Sequence, residues 1–250
     1  MVQMNAISLT GKVSLVTGAS GGIGRVVAES FAAAGSRVAI GYRNHEQEAR
    51  DLLSICGSNA MIVQGDLSDP AQCRHIVDLV IKQYGRIDIL VNNAAIGMVD
   101  SFEMPYEAWQ TQWNATLNAN LMSAVNMTFC SVPHMKNTGG GKIINISSRS
   151  AFRGETEYMA YAASKAGMIN YTRYLACYYG KQGVRANCIS PGGYFNDQPP
   201  SFVNEYTRRV PVGRMLANED IQGAVVFLAS DASSYITGMN LLVDGGWTCL

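Results

Sequence analysis

The feature that most constrains this chain is a repeated change of hydrophobic period. Short apolar runs of strand length alternate with longer stretches of helical spacing. Lys12–Thr17 (KVSLVT), Arg37–Tyr42 (RVAIGY), Ala60–Gln64, Ile87–Asn92 (IDILVN), Gly141–Ile146 (GKIINI), Val184–Ile189 and Leu241–Val243 read as strands. Helical patterns fill the intervals at Arg25–Ala34, His45–Ile55, Pro70 to about Tyr84, roughly Tyr106–Met135, Tyr158–Tyr179 and Asp220–Ala229. Asp69-Pro70 supplies an N-cap and a proline at the first helical position, and Gly35 stops the first helix. The strand runs lack polar alternation, which indicates burial on both faces. Strand–helix alternation then requires right-handed crossovers, hence an α/β fold with a doubly wound parallel sheet and helices on both faces. No internal repeat, low-complexity segment or linker interrupts residues 1–250, so the chain reads as a single domain. Ser190 to about Ser201, with three prolines and two glycines, is the long irregular region and reads as a functional loop.

Composition narrows the partners. Lys+Arg and Asp+Glu each total 19, so the formal net charge is zero, which argues against nucleic acid or an anionic membrane. Charged residues make up only 15%, below the usual ~25%, so much surface is expected to be buried, for example between subunits. The six cysteines show no C-x-x-C spacing and only three histidines are present. Neither a metal site nor a disulfide framework is expected, and the thiols read as reduced and mostly buried, as in a cytoplasmic protein. Met1–Lys12 lacks the apolar core of a signal peptide, and no apolar run approaches the ~18 residues that span a bilayer.

Gly18-Ala19-Ser20-Gly21-Gly22-Ile23-Gly24 follows the first strand and opens the first helix. Glycine lets a backbone approach a pyrophosphate, and a helix N-terminus offers free N–H groups and a positive dipole end. A tight turn serving only strand–helix packing is the plainer alternative. The second strand ends in Tyr42-Arg43-Asn44, with no acidic residue to bond adenosine ribose hydroxyls. Arg43 offers a planar cation for a 2′-phosphate, or else is a solvated surface arginine. Asp66, just after the third strand, suits an adenine amino group or an Asx turn.

Tyr161 and Lys165, four residues apart, share one helix face. An ordinary tyrosine, with a pKa of ~10, is too weak an acid for neutral pH, and a nearby ammonium corrects that by favouring the phenolate. Ser147 and Ser148 close the preceding strand at its C-terminal end, where open α/β sheets place ligands. A serine there would hydrogen-bond a substrate oxygen or cap a turn.

Thr17–Gly24, Asn92-Asn93-Ala94-Ala95, Ser148, Tyr161-Ala162-Ala163-Ser164-Lys165 and Pro191-Gly192, in this order and register, resemble the short-chain dehydrogenase/reductase family. The style is that of its 3-oxoacyl-carrier-protein reductases and sugar dehydrogenases, and the resemblance runs from about Leu9 to Trp247. It implies a seven-stranded Rossmann sheet and a homotetramer built on the two long helices. By position, Asn120 would hold a proton-relay water through its local backbone geometry. Ser148, 13 residues before Tyr161, would polarise the substrate oxygen, and Tyr161 would be the general acid or base. Lys165 would bind the nicotinamide ribose and depress the tyrosine pKa. Gly18, Ser20, Ile23 and Gly24, with Gly22 in the same turn, would form the pyrophosphate side. Asp66 and Leu67 would meet the adenine, Asn93 and Ala94 would support the nucleotide, and Pro191, Gly192 and Tyr194 would pack near the nicotinamide.

The chain departs from the pattern at three places. Ala95 stands where the family commonly has glycine, Asn196 where it often has a carboxamide-binding threonine, and Gln182 where carrier-protein reductases often have arginine. Residues 193–214 read as a lid over the substrate. Arg149, Arg153, Glu155 and Glu157 lie near its expected mouth and suit a hydroxylated or anionic substrate, or form a solvated loop. Trp109, Trp113 and Met127 read as core or subunit interface. Asp244–Trp247 would fold back near a neighbouring subunit. The expectation is an NADP(H)-preferring carbonyl reductase, with NAD(H) possible. A sugar or polyol dehydrogenase is the second reading, and a catalytically silent nucleotide-binding protein the third.

Overall fold

The computed structural model describes residues 7–154 and 157–249, so Glu155 lies outside the described residues. Seven parallel strands form one sheet: β1 (Val13–Val16), β2 (Arg37–Tyr42), β3 (Ala60–Gln64), β4 (Ile89–Asn92), β5 (Gly141–Ile146), β6 (Val184–Pro191) and β7 (Asn240–Val243). The order is β3-β2-β1-β4-β5-β6-β7. The chain reverses its winding between β1 and β4, where Ser14 pairs with Ile89 and Val16 with Val91. Such a switch point opens a crevice beyond the carboxyl ends of the strands.

Alternation along each strand feeds two cores. Val16, Ile40, Val91, Ile144 and Ile189 face helices α1 (Gly22–Ala33), α2 (Glu46–Cys56) and α8 (Asn218–Ala229). Val13, Leu15, Leu90, Ile143 and Ala186 face α3 (Pro70–Tyr84), α5 (Ser123–Asn137) and α6 (Met159–Tyr179). Helices therefore cover both faces, as the apolar strand runs require. Asp69 caps α3 by accepting from Ala71 N–H at 2.8 Å, with Pro70 next to it.

Three expectations need correction. The helix expected over Tyr106–Met135 is divided into α4 (Tyr106–Leu117), a π turn at Asn118–Met122, and α5. The buried Asn120 side chain bonds outside its own helix there, and Ser123 N–H reaches back to Asn118 O, which widens the turn. The loop expected to run to Ser201 ends in a helix, α7 (Pro200–Thr207), which Pro200 starts because its missing N–H costs nothing in a first turn. Only Cys73 and Cys188 are buried, while Cys177 and Cys249 are exposed. Met127 is core, and Trp109 and Trp113 are half-buried and stack on each other with ring centroids 5.1 Å apart.

Candidate active site

The glycine turn is stitched to the end of β4 through Thr17. Its Oγ1 donates to Val91 O (3.1 Å) and accepts from the N–H groups of Asn93 (3.0 Å) and Ala94 (3.1 Å). Asn93 Nδ2 returns the tie by donating to Thr17 O and Gly18 O, both at 3.0 Å. Gly18 has φ +61°, and a Cβ on it would lie 2.8 Å from Ala94 Cα. Gly24 packs against Gly18 O and Asn93 Nδ2 so closely that a Cβ would overlap both. Gly18, Ser20 and Ile23 thus line the crevice with Asn93 and Ala94, whereas Gly22 and Gly24 lie outside its wall. Gly24, expected on the pyrophosphate side, lets the first turn of α1 close on Gly18 and Asn93. Gly24→Ala is expected to destabilise the fold by about 2 kcal/mol, as overpacking does. It should also weaken nucleotide binding, and urea unfolding with fluorescence titration of NADPH measures both.

α1 starts without a side-chain cap and without an acidic residue in its first turn. Its leading N–H groups therefore keep their capacity for an anion at the crevice. The cavity here has a volume of about 1010 Å³. At its outer end Arg43 Nη1 lies 3.6 Å from Asp66 Oδ2, with both side chains well exposed. Asp66 Oδ1 accepts from Ser68 N–H (2.9 Å) and Ser68 Oγ (2.7 Å). Those bonds outweigh the opposing effect of burial and, with a still smaller pull from Arg43, hold its carboxyl below the usual range. Asp66 is therefore both an Asx-turn residue and part of the cavity wall beside Leu67.

At the inner end Ser148, Tyr161 and Lys165 line the same cavity. Ser148 ends the β5 connection and accepts from Ser150 N–H at 3.2 Å. Ser147 is buried and donates to Lys165 O at 2.7 Å, so it holds the helix rather than facing the cavity with a free hydroxyl. Lys165 is 2% exposed. Its Nζ donates to Ile146 O at 2.8 Å and stands 5.6 Å from the Tyr161 ring centroid. Burial lowers its pKa to about 8, with Cys188 opposing.

Asn120 is fully buried and does not reach the cavity wall. Its Oδ1 accepts from Ile96 N–H (2.7 Å), and its Nδ2 donates to Ile96 O (2.9 Å) and Ser164 Oγ (3.1 Å). Ser164 Oγ in turn donates to Tyr161 O at 2.6 Å. Asn120 thereby fastens the π turn to the loop after β4 and to the helix of Tyr161. Reasoning from the sequence gave no role to Thr17 or Ser164. A hydroxyl residue beside a glycine turn and a serine inside the Tyr161–Lys165 spacing were the available signals.

Pro191, Gly192 and Tyr194 complete the inner wall, with Arg149, Glu157 and Phe202 nearby. Tyr194 OH donates to Asn218 Oδ1 at 2.6 Å. Gly193 N–H donates to Tyr206 OH, which pins α7 to the end of β6. Tyr206 stacks on Trp247 at 4.4 Å, and the Arg149 guanidinium lies 4.4 Å from the Trp247 ring. The C-terminal Asp244–Trp247 segment thus packs on its own chain's α7 and mouth arginine. Among the described residues no cluster of metal-ligating side chains occurs, and no helix is long and apolar enough to cross a membrane.

A seven-stranded doubly wound sheet, an uncapped helix behind a glycine turn, and a serine, tyrosine and lysine at the far end of one cavity define a class: Rossmann-fold oxidoreductases. Residues 18–248 match the family model described as enoyl-(acyl carrier protein) reductase. The chain is 35% identical over 244 residues to the 3-oxoacyl-(acyl-carrier-protein) reductase of Salmonella typhimurium, covering 96% of this chain and 98% of that one. It is 36% identical to the D-threitol dehydrogenase of Mycolicibacterium smegmatis, covering 96% and 94%. The crystal structure of a gluconate 5-dehydrogenase from Burkholderia cenocepacia, in complex with NADP and tartrate, superposes with a TM-score of 0.91 at 31% identity, over 98% of both chains. A 7α-hydroxysteroid dehydrogenase complexed with NADH does so with a TM-score of 0.91 at 30% identity, again over 98% of both. The chain belongs to the short-chain dehydrogenase/reductase family, NAD(P)-using oxidoreductases that act on a CH–OH or C=O group.

Proposed function

We propose that this protein is an NADPH-dependent carbonyl reductase of the 3-oxoacyl type. The observation that carries the reading is one cavity with Arg43 at its outer end and Ser148, Tyr161 and Lys165 at its inner end. The residues fit a dinucleotide. The uncapped start of α1 would take the pyrophosphate, Asp66 and Leu67 the adenine, and Arg43 a 2′-phosphate. Gly18 lets the turn lie against Ala94 and leaves room for the nucleotide, Gly22 carries the turn into α1 with a φ of +52°, and Gly24 lets the helix close on Gly18. Pro191, Gly192 and Tyr194 would flank the nicotinamide.

When bound, the nicotinamide supplies the hydride. The chain's own groups handle the oxygen. Ser148 donates a hydrogen bond to the substrate carbonyl, and Tyr161 delivers the proton to that oxygen as carbon is reduced. Lys165, the cation beside the Tyr161 ring, favours the phenolate left behind. Its position also suits the nicotinamide ribose. Asn120 serves the proton relay indirectly: its amide holds the π turn open, and the turn's backbone would carry a relay water.

Oxidation of a sugar or polyol is the second reading. The D-threitol dehydrogenase is as similar to this chain as the 3-oxoacyl reductase is. Gln182 in place of an arginine weakens the case for an acyl carrier protein as partner. Residues 193–214 act as the lid in either reading. A homotetramer is favoured by Phe129 on α5 and by Tyr174 and Tyr178 on α6, all more than half exposed. A cytoplasmic location is favoured by six free cysteines.

Cofactor choice has its own test. Arg43→Ala is expected to weaken NADPH binding on the order of tenfold, the value of a charge-assisted contact, and NADH binding by less than twofold. Fluorescence titration with both nucleotides reads it. An equal effect on both removes Arg43 from the 2′-phosphate.

A further inference from the structure

Asp100 is a buried carboxylate that the reading above does not use. It closes the loop that leaves β4, and it is 1% exposed. One carboxylate oxygen accepts from Met159 N–H at 2.6 Å and the other from Ala160 N–H at 2.8 Å. Its own backbone N–H donates to Glu157 O at 3.0 Å. Met159 and Ala160 are the first two residues of α6, and the third is Tyr161. This helix has no cap of its own, since the Tyr158 side chain makes no capping bond. Asp100 therefore caps it from 59 residues away.

A carboxylate is suited to this task for a chemical reason. Two successive N–H groups need two acceptors. An ionised carboxylate supplies both, with no hydrogen to oppose either donor. An amide matches one and presents its NH₂ to the other. The negative charge also sits at the positive end of the α6 dipole. Four residues earlier in the same loop, Ile96 is held at both N–H and C=O by Asn120. Gly97, between these two anchors, faces the Tyr161 ring, since a Cβ on it would lie 4.0 Å from a ring carbon. The loop is thus anchored at one end to the π turn and at the other to the first turn of α6.

We propose that Asp100 is a positioning residue for Tyr161. It fixes the first turn of α6, which would otherwise fray, and so sets where the phenol stands in the cavity. Proton transfer needs reacting atoms within ~3–3.5 Å, so a loose first turn lowers the fraction of productive geometry without altering nucleotide contacts. The inference rests on Tyr161 as the proton donor, and the test separates the two.

Asp100→Ala and Asp100→Asn are made in the full chain, with Tyr161→Phe beside them. Initial rates are measured with NADPH and an acetoacetyl thioester, and NADPH binding by fluorescence. Tyrosine labelled with ¹³C at Cζ gives the Tyr161 resonance, assigned from its absence in Tyr161→Phe. For Asp100→Ala the expected result is a kcat loss on the order of 10- to 100-fold, with KM and the NADPH Kd within about twofold. The Tyr161 resonance should broaden or split. Asp100→Asn should fall between, because the amide oxygen keeps one bond. The proposal is overturned if both variants retain kcat and a wild-type Tyr161 resonance. It is equally overturned if kcat and NADPH affinity fall together, which would mark a general structural role. Turnover that survives in Tyr161→Phe would instead refute the assignment of Tyr161. If the thioester is not turned over, the resonance alone decides.

Discussion

Replacing Tyr161 by phenylalanine is expected to lower turnover by about a thousandfold while NADPH binds as before. The phenylalanine ring keeps the packing against Lys165 and Gly97 and removes only the hydroxyl. General acid catalysis contributes ~10²–10⁴-fold in such sites. What remains would come from orientation of the substrate and from Ser148 at the carbonyl oxygen. NADPH consumption and fluorescence titration together check the result. A variant that lost nucleotide binding and turnover equally would show that Tyr161 acts on the nucleotide rather than on the proton.

The second large effect concerns Lys165, and it runs in opposite directions for stability and activity. Burial lowers its pKa from 10.5 to about 8. Below pH about 8 both folded and unfolded chains hold the proton, and folding carries the whole cost of burying the charge. Between about 8 and 10.5 the folded chain has released the proton and the unfolded chain has not, so this group's contribution to stability rises with pH. The full difference is roughly 3 kcal/mol at ~1.4 kcal/mol per pKa unit. Lys165→Met removes the charge but also the bond to Ile146 O, worth about 1 kcal/mol. The variant should therefore be more stable by about 2 kcal/mol at pH 7, a gain that is lost between pH about 8 and 10.5 and gives way to a deficit of about 1 kcal/mol above it, where only the missing hydrogen bond counts. Turnover should fall on the order of a hundredfold, because the Tyr161 phenolate loses its cation. Urea unfolding at neutral and alkaline pH, with rates at neutral pH, measures both. A destabilised variant at pH 7 would mean that Lys165 is held by favourable pairing rather than kept at a cost for function.

The sheet was legible because its strands are apolar runs, buried almost throughout in β1, β2, β4, β5 and β6, and that pattern has few other solutions. Lys12–Thr17 and Ile87–Asn92 were visible as strands before any pairing was known, and they contain β1 and β4. Tyr161 and Lys165 were legible because side-chain chemistry and helical spacing coincide, whereas Ser148 was separated from Ser147 only by the family resemblance. What escaped was set by partners distant in the chain. Asp100 looks like an ordinary loop aspartate until α6 is placed against it, and Thr17 until β4 is paired with β1. The π turn escaped because Asn120 finds its acceptor and donor at Ile96, 24 residues away. Gly24 was visible as a glycine, but its close packing on Gly18 and Asn93 was not.

The central claim is that this chain reduces a carbonyl with NADPH through Tyr161. Its most direct test is the rate of NADPH consumption with an acetoacetyl thioester, followed by absorbance for the wild-type chain and Tyr161→Phe in parallel. The expected result is steady oxidation of NADPH by the wild type, slower with NADH, and essentially none by the variant. NADPH that binds but is not oxidised, together with Tyr161-dependent reduction of NADP⁺ by a polyol such as D-threitol, would contradict the assigned substrate and direction and place the chain among the polyol dehydrogenases.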